Sequence, residues 1–131
     1  MITRIKKRMQ EGGEGGFTLI ELLVVIIIIA ILAAIAIPMY LSQRQKGWDA
    51  NVQSDLRNAA VAQESYFTDN STYTLVVGNL LAEGYNNSAD ITLTPITADA
   101  AGYCMNASHS SNALRVWHMS SADGDPQVGA C

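Results

Sequence analysis

Between Gly16 and Pro38 the chain reads G-FTLIELLVVIIIIAILAAIAI-P, and no other stretch constrains the fold as much. The 21 residues from Phe17 to Ile37 carry one charge, Glu21. As a helix rising about 1.5 Å per residue they are long enough to cross the hydrocarbon core of a bilayer, about 30 Å thick. The segment has no polar face, so as a helix it belongs in lipid or among other helices. Fifteen of its residues are Phe, Leu, Ile or Val. Each favours insertion by about 0.3–0.6 kcal/mol, against about 2.5–3.5 kcal/mol for one acid taken as similar to Asp. Insertion wins, and the acid needs a reason, because an ionisable group inside such a helix marks a function by default.

Roughly the last 85 of the 131 residues must supply any soluble core. A domain that small gains from a covalent cross-link. Cys104 and Cys131 permit one intramolecular pairing, and both lie on the far side of the apolar segment from the N-terminus. They are either a bridge that ties down the C-terminus or two unrelated reduced thiols. The net charge of −4 hides a split. Arg4, Lys6, Lys7 and Arg8 precede Phe17 together with Glu11 and Glu14, whereas residues 17–131 hold four basic and ten acidic residues, a balance of −6. The positive-inside rule places the N-terminus in the cytoplasm and the bulk of the chain outside. An acidic exterior argues against a general nucleic-acid surface.

Met1 to Gly16 opens basic and closes with EGGEGG. A secretory signal places its apolar core before the small residues of the cleavage site. Here the order is reversed, so a cut after Gly15-Gly16 releases only the basic leader and leaves the apolar helix on the product. Gly16, then Phe-Thr-Leu-Ile-Glu, then a long Leu/Ile/Val run ending at Pro38 resembles the N-terminal signature of type IV pilins and the related type II secretion pseudopilins. The likeness covers about 25 contiguous residues, and the cysteine pair extends it more weakly to the C-terminus. The resemblance implies that a prepilin peptidase cuts between Gly16 and Phe17 and methylates the new Phe17 amine. The chain then divides into a leader at 1–16, a transmembrane and assembly helix at 17–38 and a globular domain at 39–131. A second pair, Gly12-Gly13, is also present, but a cut there leaves Glu14 leading and puts Glu21 out of register. In the family, the acid at the position of Glu21 pairs with the amine of a neighbouring subunit during assembly. Phe17 and Glu21 also share a helix face about 6 Å apart, so the amine of the same chain competes for the carboxylate.

Pro38 removes an amide donor and displaces the carbonyl of Ala34, which predicts a bend or local loosening. Where family members place a glycine before this proline, the chain has Ala30, Ala33 and Ala34, better helix formers that limit melting. Met39–Lys46 enters water, Gly47 is a second soft point, and an amphipathic helix resumes from Trp48 to Phe67. Its stripe is Val52, Leu56, Ala59, Ala60, Gln63 and Phe67, while Asp49, Asn51, Asp55, Arg57, Asn58 and Glu64 form most of the solvated side. Asp69-Asn-Ser-Thr72 ends the helix, and a short helical turn is expected near Asn79–Glu83. Strands are expected at Asp90–Thr94, Gly102–Ala107 and Ala113–Ser120, the last alternating through Leu114, Val116, Trp117 and Met119.

Chemistry for catalysis is not evident. His109 and His118 have no metal-ligand spacing and read as surface or strand residues. Asp123-Gly-Asp125-Pro resembles part of a calcium loop but lacks the ligand run, and reads as a turn. The sequons at Asn70, Asn86 and Asn106 imply turns, and Arg57 and Arg115 stand largely alone, without a stripe for nucleic acid. The expected fold is therefore α+β: a long kinked N-terminal helix, ladle-shaped with a small antiparallel sheet of three or four strands and a C-terminal loop closed by Cys104 and Cys131. The expected role is that of a pilus subunit, not an enzyme, without cofactor or metal. The resemblance implies as partners further copies in a helical homopolymer, the prepilin peptidase, the cytoplasmic membrane before assembly, and an assembly machinery with a cytoplasmic ATPase. A pseudopilin of a secretion or competence system, or a single-pass anchored binding domain, are the alternative readings.

Overall fold

The computed structural model describes residues 16–131. The leader up to residue 15 and the alternative cut at Gly12-Gly13 lie outside the described residues. The chain forms two units, one ending at Ser42 and the other running from Gln43 to Cys131.

One helix, α1, runs from Leu19 to Asn70 over 52 residues. The expected long N-terminal helix is present, and both Pro38 and Gly47 lie inside its continuous helical stretch. The reason is local. A proline deletes one main-chain bond and crowds one carbonyl, while Met39–Lys46 offers residues with ordinary helix propensity to carry the ladder onward. In the first unit every large apolar side chain from Phe17 to Leu41 is exposed, as a helix apolar all round must be when nothing surrounds it.

In the second unit, α1 buries Val52, Leu56, Ala59, Ala60, Ala62 and Gln63. The expected stripe is thus the core face, with Phe67 half-buried at its end. Asn70 donates back to the Tyr66 carbonyl at 3.0 Å, and Ser71 takes the left-handed conformation, φ 56°, with its amide on the Phe67 carbonyl. That is the usual way to end a helix, with serine where glycine is more common. A short helix α2, Val77–Ala82, follows. It closes on Gly84 (φ 96°), with Gly84 N–H on Leu81 O and Tyr85 N–H on Leu80 O, the paired bonds of a Schellman end.

The sheet has four antiparallel strands in the order β1 (Ile91–Ala98), β2 (Tyr103–His109), β3 (Asn112–Ser120) and β4 (Gln127–Val128). The fourth lies in the C-terminal tail. Ile91 and Leu93 of β1, and Tyr103, Met105, Ala107 and His109 of β2, join the face of α1 in the core. In β3 the expected alternation fails: Leu114 is 97% exposed and only Met119 is buried. A register shift between Ser108 and His109 separates the hairpin end of β3 from its regular part, where Met105 opposes Met119 and Ala107 opposes Trp117. At the other edge, β1 carries Pro95 and a second register shift between Pro95 and Thr97.

Two buried polar side chains of α1 tie down the segment between helix and sheet. Gln63, with no exposed surface, donates to the Thr74 carbonyl at 2.8 Å and accepts the Thr74 amide at 3.0 Å. Asp55, assigned to the solvated side by its charge, is only 3% exposed. It accepts the Ser88 amide at 3.0 Å and the Ser88 hydroxyl at 2.7 Å, with the Tyr85 hydroxyl at 3.4 Å. Loop main chain and hydroxyls here do for a buried acid what water does for an exposed one. Gln63→Leu keeps the shape and orphans both main-chain groups of Thr74, so it should lower unfolding stability by about 2–4 kcal/mol, measured by urea unfolding of the detergent-solubilised chain.

Burial, aided by the negative charge of Glu64, pushes the Tyr103 phenol up to about 12, and burial beside Asp55 raises Tyr85 further. An unfolded tyrosine ionises near about 10. Between these values the folded chain holds the proton and the unfolded chain does not, so stability falls as pH rises through this window. Ultraviolet titration should show three of the five tyrosines ionising late, Tyr85, Tyr103 and Tyr73, the last raised by desolvation and its hydrogen bond to Glu64, with the unfolding midpoint dropping over the same range.

Candidate functional site

The helix begins at the residues singled out by the apolar segment. Thr18 N–H donates to Glu21 Oε2 at 3.0 Å, and Glu21 N–H donates to Thr18 Oγ1 at 3.3 Å. This reciprocal pair is a capping box, in which two of the helix's unpaired first-turn donors find side-chain acceptors. Thr-x-x-Glu ahead of an apolar run is its sequence signature, legible at Thr18-Leu-Ile-Glu21. The position also sets the acid in the first turn, where the positive end of the helix dipole favours it. Glu21 Oε1 has no hydrogen bond among the described residues. Phe17 is 93% exposed and lines a shallow apolar recess with Glu21, Leu22 and Val25. Gly16, Phe17 and Glu21 therefore lie together at the mouth of the helix, and Pro38 lies far along it.

The disulfide between Cys104 and Cys131 is formed, with Cα atoms 6.0 Å apart. It completes a set of ties that lay the C-terminal tail against β2 and β3. Gly129 N–H donates to the Val116 carbonyl at 2.8 Å, His118 Nδ1 donates to the Gly129 carbonyl at 2.9 Å, and Cys131 N–H donates to Asn106 Oδ1 at 2.8 Å. Asn106, read as a sequon, is thus engaged by the chain terminus. A carbonyl only accepts, so the His118 proton sits on Nδ1.

Several histidine and charged side chains of the domain are engaged within the fold. His109 is buried, stacks on Trp48 at 5.5 Å and accepts the Ser111 amide on Nδ1. Arg115 does not stand alone: its Nε meets both oxygens of Asp49 at 2.9 and 3.0 Å, and Asp49 also accepts from Gln45 and Trp117. Arg57 lies 3.5 Å from Asp125. Asp123 accepts the Ser120 hydroxyl and lies 3.6 Å from His118 Nε2. The two acids of the Asp-Gly-Asp turn thus face different partners, and among the described residues no three His, Cys, Asp or Glu side chains converge as metal ligands.

Comparison with known proteins agrees with this geometry. Residues 13–37 match the family model described as the prokaryotic N-terminal methylation motif. The chain is 43% identical over 109 residues, 82% of each chain, to the type IV wide pilus major component PilA4 of Thermus thermophilus. The bridge closes 27 residues of chain, worth about 3.5 kcal/mol in the chain-entropy account. Cys131→Ser should lower unfolding stability by about that amount, read from denaturation midpoints with and without reductant. Identity over most of its length, the methylation motif at the helix mouth and the fold together place this chain in the type IV pilin family.

Proposed function

We propose that the chain is the precursor of a type IV pilus subunit, cut between Gly16 and Phe17 and polymerised through residues 17–38. The observation that carries the reading is the helix itself. It is apolar on every side, with one carboxylate held at its mouth by Thr18. Before assembly its surroundings are lipid; in the fibre they are the same helices of other copies. Lipid tails and neighbouring Leu and Ile side chains are comparably apolar, so hydrophobicity hardly separates the two states. Direction comes instead from packing, from Glu21 and from an assembly machinery driven by a cytoplasmic ATPase. The role is structural and not catalytic. The relative named above is a pilus component, which favours a pilus subunit over a secretion pseudopilin.

The capping box sharpens the part Glu21 plays. One oxygen serves Thr18 and the other accepts no hydrogen bond among the described residues, so the carboxylate receives a methylated Phe17 amine without surrendering the cap. The amine of its own chain starts one residue before Thr18, at the helix end the cap fixes. A neighbour's amine arriving from outside meets that second oxygen, and the pairing sets the register of one subunit on the next. Glu21→Leu leaves membrane insertion intact, because it removes the one charge in the span. It should reduce sheared filaments at least tenfold by electron microscopy while the processed subunit accumulates in the membrane fraction. Normal filament yield from that variant overturns the assembly role.

A further inference from the structure

From Gln43 to Asn70, α1 lays one face on the sheet and leaves another open. Lys46, Ala50, Ser54, Arg57, Val61 and Glu64 all lie on the exposed side, Val61 at 70% exposure. Lys46 and Glu64 are 18 residues apart, which is five turns at about 3.6 residues each, so they share one line on the helix about 27 Å apart. Charge along this line is uneven. Of the four cations in residues 17–131, Arg57 and Arg115 are paired within the fold to Asp125 and Asp49, and Arg44 lies over the Trp48 ring at 5.1 Å. Lys46 is exposed and is the single lysine of residues 17–131. At the far end Glu64 and Asp69 are exposed, and the last turn of α1 holds no basic residue. Acids there add to the negative end of the helix dipole, an arrangement unfavourable in an isolated subunit and relieved by a cation from outside.

We propose that this open face is a contact between copies, in which parallel helices are offset by about five turns and Lys46 of one subunit meets Glu64 of the next. The inference rests on the polymer reading above and adds a register to it. A second copy fits because the complementary charges are the two ends of one surface. Each subunit offers both, so the contact is head-to-tail and repeats without closing, as a filament requires. The face continues, on the same helix, the apolar segment assigned to the fibre interior. Ala50 and Ser54 allow close approach. Glu64 gives one oxygen to the Tyr73 hydroxyl, which fixes its side chain.

The native lysine provides the test. Sheared filaments are treated with a water-soluble carbodiimide, which joins an amine to a carboxylate in contact, and the linked peptides are read by mass spectrometry. The expected product joins Lys46 to Glu64. Within one chain these groups are about 27 Å apart along the helix, so the bond forms only between copies. Intact filaments in which Lys46 is unlinked, or linked only to other acids, overturn the contact and leave the pilus-subunit reading standing. Charge reversal gives an independent arm. Lys46→Glu should lower filament yield at least fivefold, and adding Glu64→Lys should return it to within twofold. A folded double variant that stays as deficient as the single one also overturns the proposal; if the double variant does not fold, the cross-link on the unsubstituted chain decides.

Discussion

A single main-chain hydrogen-bond ladder serves two different surroundings, and the rest of the molecule depends on its continuity. In hydrocarbon every backbone amide and carbonyl must find its partner within the segment, which a helix achieves and an extended chain does not. Beyond Ser42 the same ladder becomes the floor on which the domain is built. Leu56 and Gln63 point into the core, the sheet covers them, and Asp55 and Gln63 hold the intervening loop by its main chain. Because the helix continues through Pro38 and Gly47, the apolar segment and the helix that carries the domain core are one covalent and hydrogen-bonded element. The disulfide acts at the opposite end of the chain and fixes a tail that has little apolar side chain of its own.

The sequence was most legible where one force dominates. The apolar span, the stripe of Val52, Leu56, Ala59, Ala60 and Gln63, and three of the four strands follow from periodicity alone. The cysteine pairing follows from there being only two. What could not be read locally was the use of polar residues. Asp55 and Asn51 look alike on a helical wheel, yet Asp55 is buried because Ser88, 33 residues further on, brings its amide and hydroxyl to it. Arg115 looked solitary because its partner, Asp49, is 66 residues away. Leu114 looked inward because alternation was extrapolated through a register shift that only the pairing of β2 and β3 reveals. The capping box is the exception, since Thr18 and Glu21 stand three residues apart and the signal was local.

Electrostatics in this chain is organised by scarcity. Residues 17–131 hold four cations against ten acids, and two of the cations serve as cross-links, Arg115 from the sheet to α1 and Arg57 from α1 to the C-terminal turn. Exposed ion pairs contribute little each, but the Arg115 to Asp49 pair is half-buried, uses both carboxylate oxygens and shares its acid with Trp117 and Gln45. The consequence is a domain whose buried polar side chains all find partners among the described residues.

The edges of the sheet bear on how such a subunit behaves when crowded. A strand edge with free amides and carbonyls is a template for further strands, and the hazard grows with concentration. Here one outer strand is interrupted by Pro95, which has no amide to offer, and by a shift in register beside it; the other is two residues long and tethered through Cys131. Neither edge supports an extended ladder with a neighbour. In a subunit stored at high density in a membrane, the sheet is thus kept out of the competition between fibre and aggregate.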